Sequence, residues 1–215
     1  DSKSYEFPAL DINYGLGDRT QLKWEIPYVF NRVTEVDAMG NSTTVSSQGI
    51  ANSAVGLKYR FYDNEETGLS MAFYPQFEFR LPGSRLEEDG GVATRATAFI
   101  LPLLLTREFD YVSFTANLGA GKSSADSKPN YFSSVGLGTR LTPHVAILGE
   151  LAGMDLGRGN ERRVLLNIGL RGKLSEKHAL AASVGRDLIA SGDGQKHFYF
   201  TLAYQLFIEH EKKEK

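Results

Sequence analysis

Apolar and polar residues alternate one by one along most of this chain, in runs too long for an ordinary sheet. Within 69–81 the odd positions carry Leu69, Met71, Phe73, Pro75, Phe77, Phe79 and Leu81, and between them stand Ser70, Ala72, Tyr74, Gln76, Glu78 and Arg80. Successive side chains of a strand point to opposite faces, so such a segment has one apolar face and one polar face. A soluble strand usually ends after about 5–6 residues. A tilted membrane crossing takes about 9–11, which this segment covers.

The alternation predicts eleven strands, at about 7–16, 19–30, 49–62, 69–81, 93–106, 111–121, 130–141, 145–154, 162–172, 178–187 and 197–208, and no helix. Gly, Asp, Asn, Ser and Pro gather between the runs, where turns need them. The connections alternate in length: 17–18, 63–68, 107–110, 142–144 and 173–177 are short, whereas 31–48, 82–92, 122–129, 155–161 and 188–196 are long. Short turns on one side and long loops on the other mark an outer-membrane barrel. The predicted fold is therefore an all-β, antiparallel, up-and-down transmembrane β-barrel over 1–208, followed by a charged tail at 209–215. Bacterial single-chain barrels have an even strand number with both ends in the periplasm, so a twelfth strand is expected upstream. A soluble β-sandwich is the competing fold, and strand length and loop asymmetry count against it.

The outward set is expected to include Leu22, Trp24, Ile26, Tyr28, Val55, Leu57, Tyr59, Phe61, Val112, Phe114, Leu118, Val164, Leu166, Ile168, Leu170, Phe198, Phe200, Leu202 and Tyr204. Aromatics near strand ends, such as Tyr14, Tyr111 and Tyr131, suit interfacial girdles. The inward set is too charged for a packed core, because buried charges are costly unless paired or wetted. Its candidate pore-lining residues are Lys23, Glu25, Lys58, Arg60, Gln76, Glu78, Arg80, Asn117, Arg140, Glu150, Asn167 and Arg171. Both signs are mixed, so ion pairs bracing the wall compete with a selective lining. One half presents long side chains and the other small ones, among them Ser113, Thr115, Ser134, Gly136, Gly138, Ala146 and Ala152. A narrow off-centre passage beside Glu150 is the expectation.

Composition removes several alternatives. With 24 Lys+Arg against 26 Asp+Glu the chain lacks the basic surplus of a nucleic-acid binder. It has no cysteine, hence no disulfide, thiolate metal site or cysteine nucleophile. The longest apolar run, 98–105, is far shorter than the roughly 20 residues of a membrane helix. No histidine spacing suggests a metal, and no cofactor is expected. GAGKSS (119–124) has only part of the phosphate-loop spacing and precedes no helix.

ALDINYGLGDRTQLKWEIPYVF (9–30), SAVGLKYRFYDNEETG (53–68), PQFEFRLPG (75–83), SFTANLGAG (113–121), VGLGTRLTPHVAILGELAG (135–153) and VGRDL (184–188) together resemble the outer-membrane family of "MetA-pathway of phenol degradation" proteins. That resemblance covers most of the chain. It implies an outer-membrane channel or transporter for small, aromatic or otherwise poorly soluble compounds, and it supplies no catalytic residue. The tail IEHEKKEK after Phe207 departs from the aromatic ending usual in barrels.

A channel for small solutes in the bacterial outer membrane is thus the leading function, with membrane lipid and lipopolysaccharide as surroundings. Monomer is the default state, though trimers are common among pores. A structural or adhesive barrel would carry its function on the 31–48 loop. A lipid-modifying enzyme would need His197, the histidine at the head of the last strand; His144 and His178 sit beside short turns and His210 in the tail.

Overall fold

A computed structural model describes residues 2–36, 39, 41–154, 162–190 and 196–208. Its strands are β1 (Ser2–Leu16), β2 (Thr20–Val36), β3 (Ser42–Ile50), β4 (Ser53–Asn64), β5 (Leu69–Phe73), β6 (Gln76–Phe79), β7 (Ala98–Glu108), β8 (Val112–Ser123), β9 (Asn130–Thr142), β10 (Val145–Met154), β11 (Arg163–Lys173), β12 (His178–Ala190) and β13 (Phe198–Leu206). They form one sheet with the hydrogen-bonded order β1-β2-β4-β5-β7-β8-β9-β10-β11-β12-β13, while β3 pairs β2 and β6 pairs β4 and β7. The eleven positions of that path are the eleven segments read from the alternation. A sandwich would need a second sheet over the apolar face, and all thirteen strands belong to one sheet.

Several boundaries differ from the sequence reading, among them the start of β1 at Ser2 where a strand from about residue 7 was expected. Residues 31–48 are not a loop: β2 runs on to Val36 and returns as β3, with Tyr28 opposite Ile50 and Val36 opposite Ser42. Alternating Val, Thr and Ser suit an exposed hairpin, but their weak hydrophobicity hid it. The segment 69–81 is interrupted at Tyr74 and Pro75, since proline has no N–H to give the ladder. Residues 93–97, expected to open a strand, lie outside β7. Glu87–Asp89 forms a single 3₁₀ turn where no helix was expected. Residues 188–190, expected to open the loop 188–196, instead continue β12; residues 191–195 of that loop, the predicted loop at 155–161 and the tail at 209–215 lie outside the described residues.

The chain divides into two compact units, one of residues 1–61, 72–102 and 120–129, the other of residues 62–71, 103–119 and 130–215. In the first, strict register lines up side chains of one kind. Ile12 faces Trp24, Trp24 faces Val55, Val55 faces Phe77 and Phe77 faces Phe99. This is an apolar belt across five strands, and Trp24 and Phe77 in it are 40% and 44% exposed. A packed core would shield such side chains first. In the second unit Leu137, Gly149, Ile168, Val184 and Phe200 form a like row across β9 to β13.

Among the described residues the buried hydrophobic side chains are only Ala72, Leu86, Val92, Ala93 and Ala179. Three of them belong to the β6–β7 connection, so the best-shielded apolar cluster among the described residues is in a connection and not in the wall. Asn52, just before β4, holds this connection down. Its side-chain amide donates to Thr94 Oγ1 (3.1 Å) and to the Ala96 carbonyl (2.9 Å) and accepts from the Thr94 N–H (2.9 Å). Arg80 Nη1 donates to the Ser84 carbonyl at 2.9 Å. On the outside, Arg95 bonds Glu88, which raises the guanidinium pKa further above its ordinary value. Asn52→Ala leaves partly buried partners unmatched, a loss of about 1–3 kcal/mol of local stability. Limited proteolysis should therefore cut the 80–97 connection roughly tenfold or more faster in the variant, with the rest of the chain resistant.

Candidate functional site

The polar face of each unit is built by the same register that builds its apolar belt. In the first unit Asp11 faces Glu25 and Asn13 faces Lys23. Gln21 faces Lys58, and Lys23 faces Gly56. Ala54 faces Glu78, and Gly56 faces Gln76. Lys23 Nζ lies 3.2 Å from Asp11 Oδ2 and also pairs with Glu25. A Cβ on Gly56 would stand 2.6 Å from Tyr74 Cε2, so that glycine makes room for the tyrosine ring beside Lys23. Of the predicted lining residues, Lys23, Glu25, Lys58, Gln76 and Glu78 thus share one face, and the first two are ion-paired.

Two arginines of this half have other partners. Arg60 Nη2 donates to the Asp18 carbonyl at 2.7 Å and clips the β1–β2 turn. Arg80 follows the last residue of β6 and belongs to the β6–β7 connection. Charge alone could not distinguish a lining arginine from one that satisfies a turn carbonyl, because guanidinium does both.

The second unit has a different polar face. Gly136, Glu150, Asn167, Gly185 and Tyr199 stand in one row across β9 to β13. The next row is Gly138, Leu148, Gly169, Ser183 and Thr201. Between them lies an open cavity of about 260 Å³, to which Ser113, Thr115 and Ala181 also contribute. Its floor is tight: a Cβ on Gly136 would sit 2.6 Å from Thr115 Oγ1, and one on Gly138 2.8 Å from Ser113 Oγ. Glycine there lets β8 hydroxyls approach the β9 backbone, and it leaves no side chain above Glu150. Among the described residues the Glu150 carboxylate makes no hydrogen bond or ion pair.

The remaining predicted residues stand around this cavity. Asn117 donates to Ser134 Oγ at 2.9 Å. Arg140 and Arg171 both face Ala146, two rows from Glu150 toward the short turns. Arg171 Nε donates to Gln205 Oε1 at 3.0 Å, and its guanidinium lies 5.7 Å from the centre of the Phe207 ring.

One cluster was not foreseen. Asp187, fully buried, accepts from the His197 backbone N–H (3.0 Å) and lies 3.3 Å from both His197 Nδ1 and the Tyr199 hydroxyl. Arg163 Nη1 donates to that hydroxyl at 3.4 Å. The cluster ties the ends of β12 and β13 together, and among the described residues no serine or threonine hydroxyl bonds His197. Alternation through Ala181, Ser183 and Gly185 places Asp187 on the polar face. The register shift between Val164 and Leu165 that brings it opposite Leu165 has no sequence signal.

No protein-family model and no curated protein matches the sequence. Among solved structures, one described as the COG4313 outer membrane channel from Pseudomonas putida F1 matches with a TM-score of 0.67 at 16% identity, over 93% of this chain and 82% of that one. The fold is that of an outer-membrane β-barrel. At such identity the likeness is one of fold. The barrel strands then carry the two faces described above, one apolar and one polar.

Proposed function

We propose that this chain is an outer-membrane channel for small solutes, which pass along its polar face while the apolar face meets lipid. The observation that carries this reading is the opposed pair of faces. Trp24, Phe77 and Phe99 are exposed among the described residues, whereas Lys58, Glu78 and Glu150 are too polar to be the core of anything dry. The structural neighbour, itself described as an outer membrane channel, supports the same reading. The resemblance to phenol-degradation outer-membrane proteins makes aromatic or poorly soluble compounds the solute class to try first. The purified protein in planar bilayers should give discrete conductance steps, and proteoliposomes should admit small solutes. A silent, solute-tight protein correctly folded in the bilayer would end this reading.

The β2–β3 hairpin favours a second role. Its second strand, β3, is rich in Ser and Thr, lies off the main path of the sheet and is largely exposed. An adhesive barrel would lose partner binding, and keep its fold, when this hairpin is trimmed to a tight turn.

A further inference from the structure

We infer that the cavity beside Glu150 is a binding subsite for a monocationic solute, an ammonium group carried on a small apolar body. This rests on the channel reading and names a solute class for it. Three observations converge. The Glu150 carboxylate is free of hydrogen-bond and ion-pair partners among the described residues, although a carboxylate against a protein wall gains from a cation or donor. Its row-mates Gly136, Asn167 and Gly185 bring no compensating charge, and the other lining groups are hydroxyls, glycines and alkyl side chains.

The basic groups of this face stand apart from Glu150, although Arg171 faces Ala181 at the edge of the cavity. Arg140 and Arg171 are on the row of Ala146, four residues along β10 from Glu150, about 13 Å at the rise of a strand. Arg171 is held there by Gln205 and Phe207. On the opposite side Arg163 bonds Tyr199, whose hydroxyl stands against Asp187. An uncompensated negative charge therefore remains at the middle of this wall. Leu148 and Ala181 give it an apolar flank, and Asn167 places an amide next to it. A cavity of about 260 Å³ lies just below the roughly 300 Å³ at which drug-sized pockets begin. The apolar body is accordingly a short chain or a single ring.

The test uses n-butylammonium, with butan-1-ol and butyrate as neutral and anionic controls of the same size. Binding to the detergent-solubilised protein is measured by titration calorimetry, and flux is measured in proteoliposomes. The wild type should bind n-butylammonium at least tenfold more tightly than either control. Glu150→Gln should lose that preference at least tenfold and Glu150→Asp should retain most of it, with heat-modifiable gel mobility showing that each variant is folded. Equal binding by folded wild type and Glu150→Gln, or equal binding of butan-1-ol, overturns the subsite. Solute flux that persists in such a case leaves the channel intact without it. Conversely, Glu150-dependent binding in a protein that passes no solute sinks the channel and keeps the subsite.

Discussion

Leu57→Arg is expected to destabilise the bilayer-inserted protein by about 2–4 kcal/mol, the range for a cation at the hydrocarbon midplane of a barrel wall. Leu57 faces Leu22, one row from the Trp24–Val55 pair, on the apolar face. Both leucines are more than two-fifths exposed. In a water-soluble protein an arginine at such a site would change stability by no more than about 0.5 kcal/mol. The sign and size of the effect therefore identify the solvent that this face meets. Trp24 is the single tryptophan of the chain and stands on the same face. Its fluorescence during urea unfolding from phospholipid vesicles reports the equilibrium. Lys58→Ala, one residue away on the polar face, should cost less than about 1 kcal/mol in the same assay, because a water-facing side chain leaves no hole in a core. An unchanged midpoint for Leu57→Arg would mean that the apolar belt never touches lipid.

Gly68→Val should be comparably severe for a different reason. Gly68 ends the turn between β4 and β5 at a φ of +64°, and its carbonyl accepts a hydrogen bond from the Glu108 N–H at 2.9 Å. A Cβ there would lie 2.3 Å from the Glu108 carbonyl oxygen, a backbone atom that cannot step aside. Left-handed backbone costs a non-glycine residue about 1–3 kcal/mol, and forcing atoms into filled space adds about 1–3 kcal/mol. The expected loss is at least about 3 kcal/mol, read by the same urea titration. Gly17, in the β1–β2 turn at a φ of +74°, has nothing within 4 Å of its would-be Cβ. Gly17→Ala should therefore show only the conformational part, at the low end of the strain range. If the two glycine variants behave alike, the close approach of Glu108 does not constrain the turn.

The latch by which Asn52 holds the β6–β7 connection shows how far a local reading reaches. Asn52 follows Ile50 and Ala51 in what reads as continuous strand, and an asparagine there passes for another polar-face residue. Its three bonds go to residues more than forty positions away, and no periodicity encodes that distance. The same holds for Arg60 and Arg80. Both fall on polar positions of the alternation, yet one caps a turn and the other stabilises a connection. For Glu150 and Asn167 the polar position and the small neighbours were legible. That they stand directly opposite each other follows from the β10–β11 register, which nothing in the sequence of the long connection between those strands fixes.

Parity is a local property of a strand, so the order of residues was enough to determine the all-β class, the eleven main segments, the sides of the short and long connections and which side chains share a face. Pairing is not local. The β2–β3 hairpin, the break at Pro75, the shielded β6–β7 connection and the Asp187 cluster depend on which distant backbone groups complete one another's hydrogen bonds. A register shift of one residue, such as that at Val164, redirects side chains without leaving any mark in composition. Tertiary structure also decided which charges are satisfied. Lys23 found Asp11 and Glu25, Arg171 found Gln205, and Glu150 found no partner among the described residues, because partners in a sheet are chosen by alignment and not by proximity along the chain.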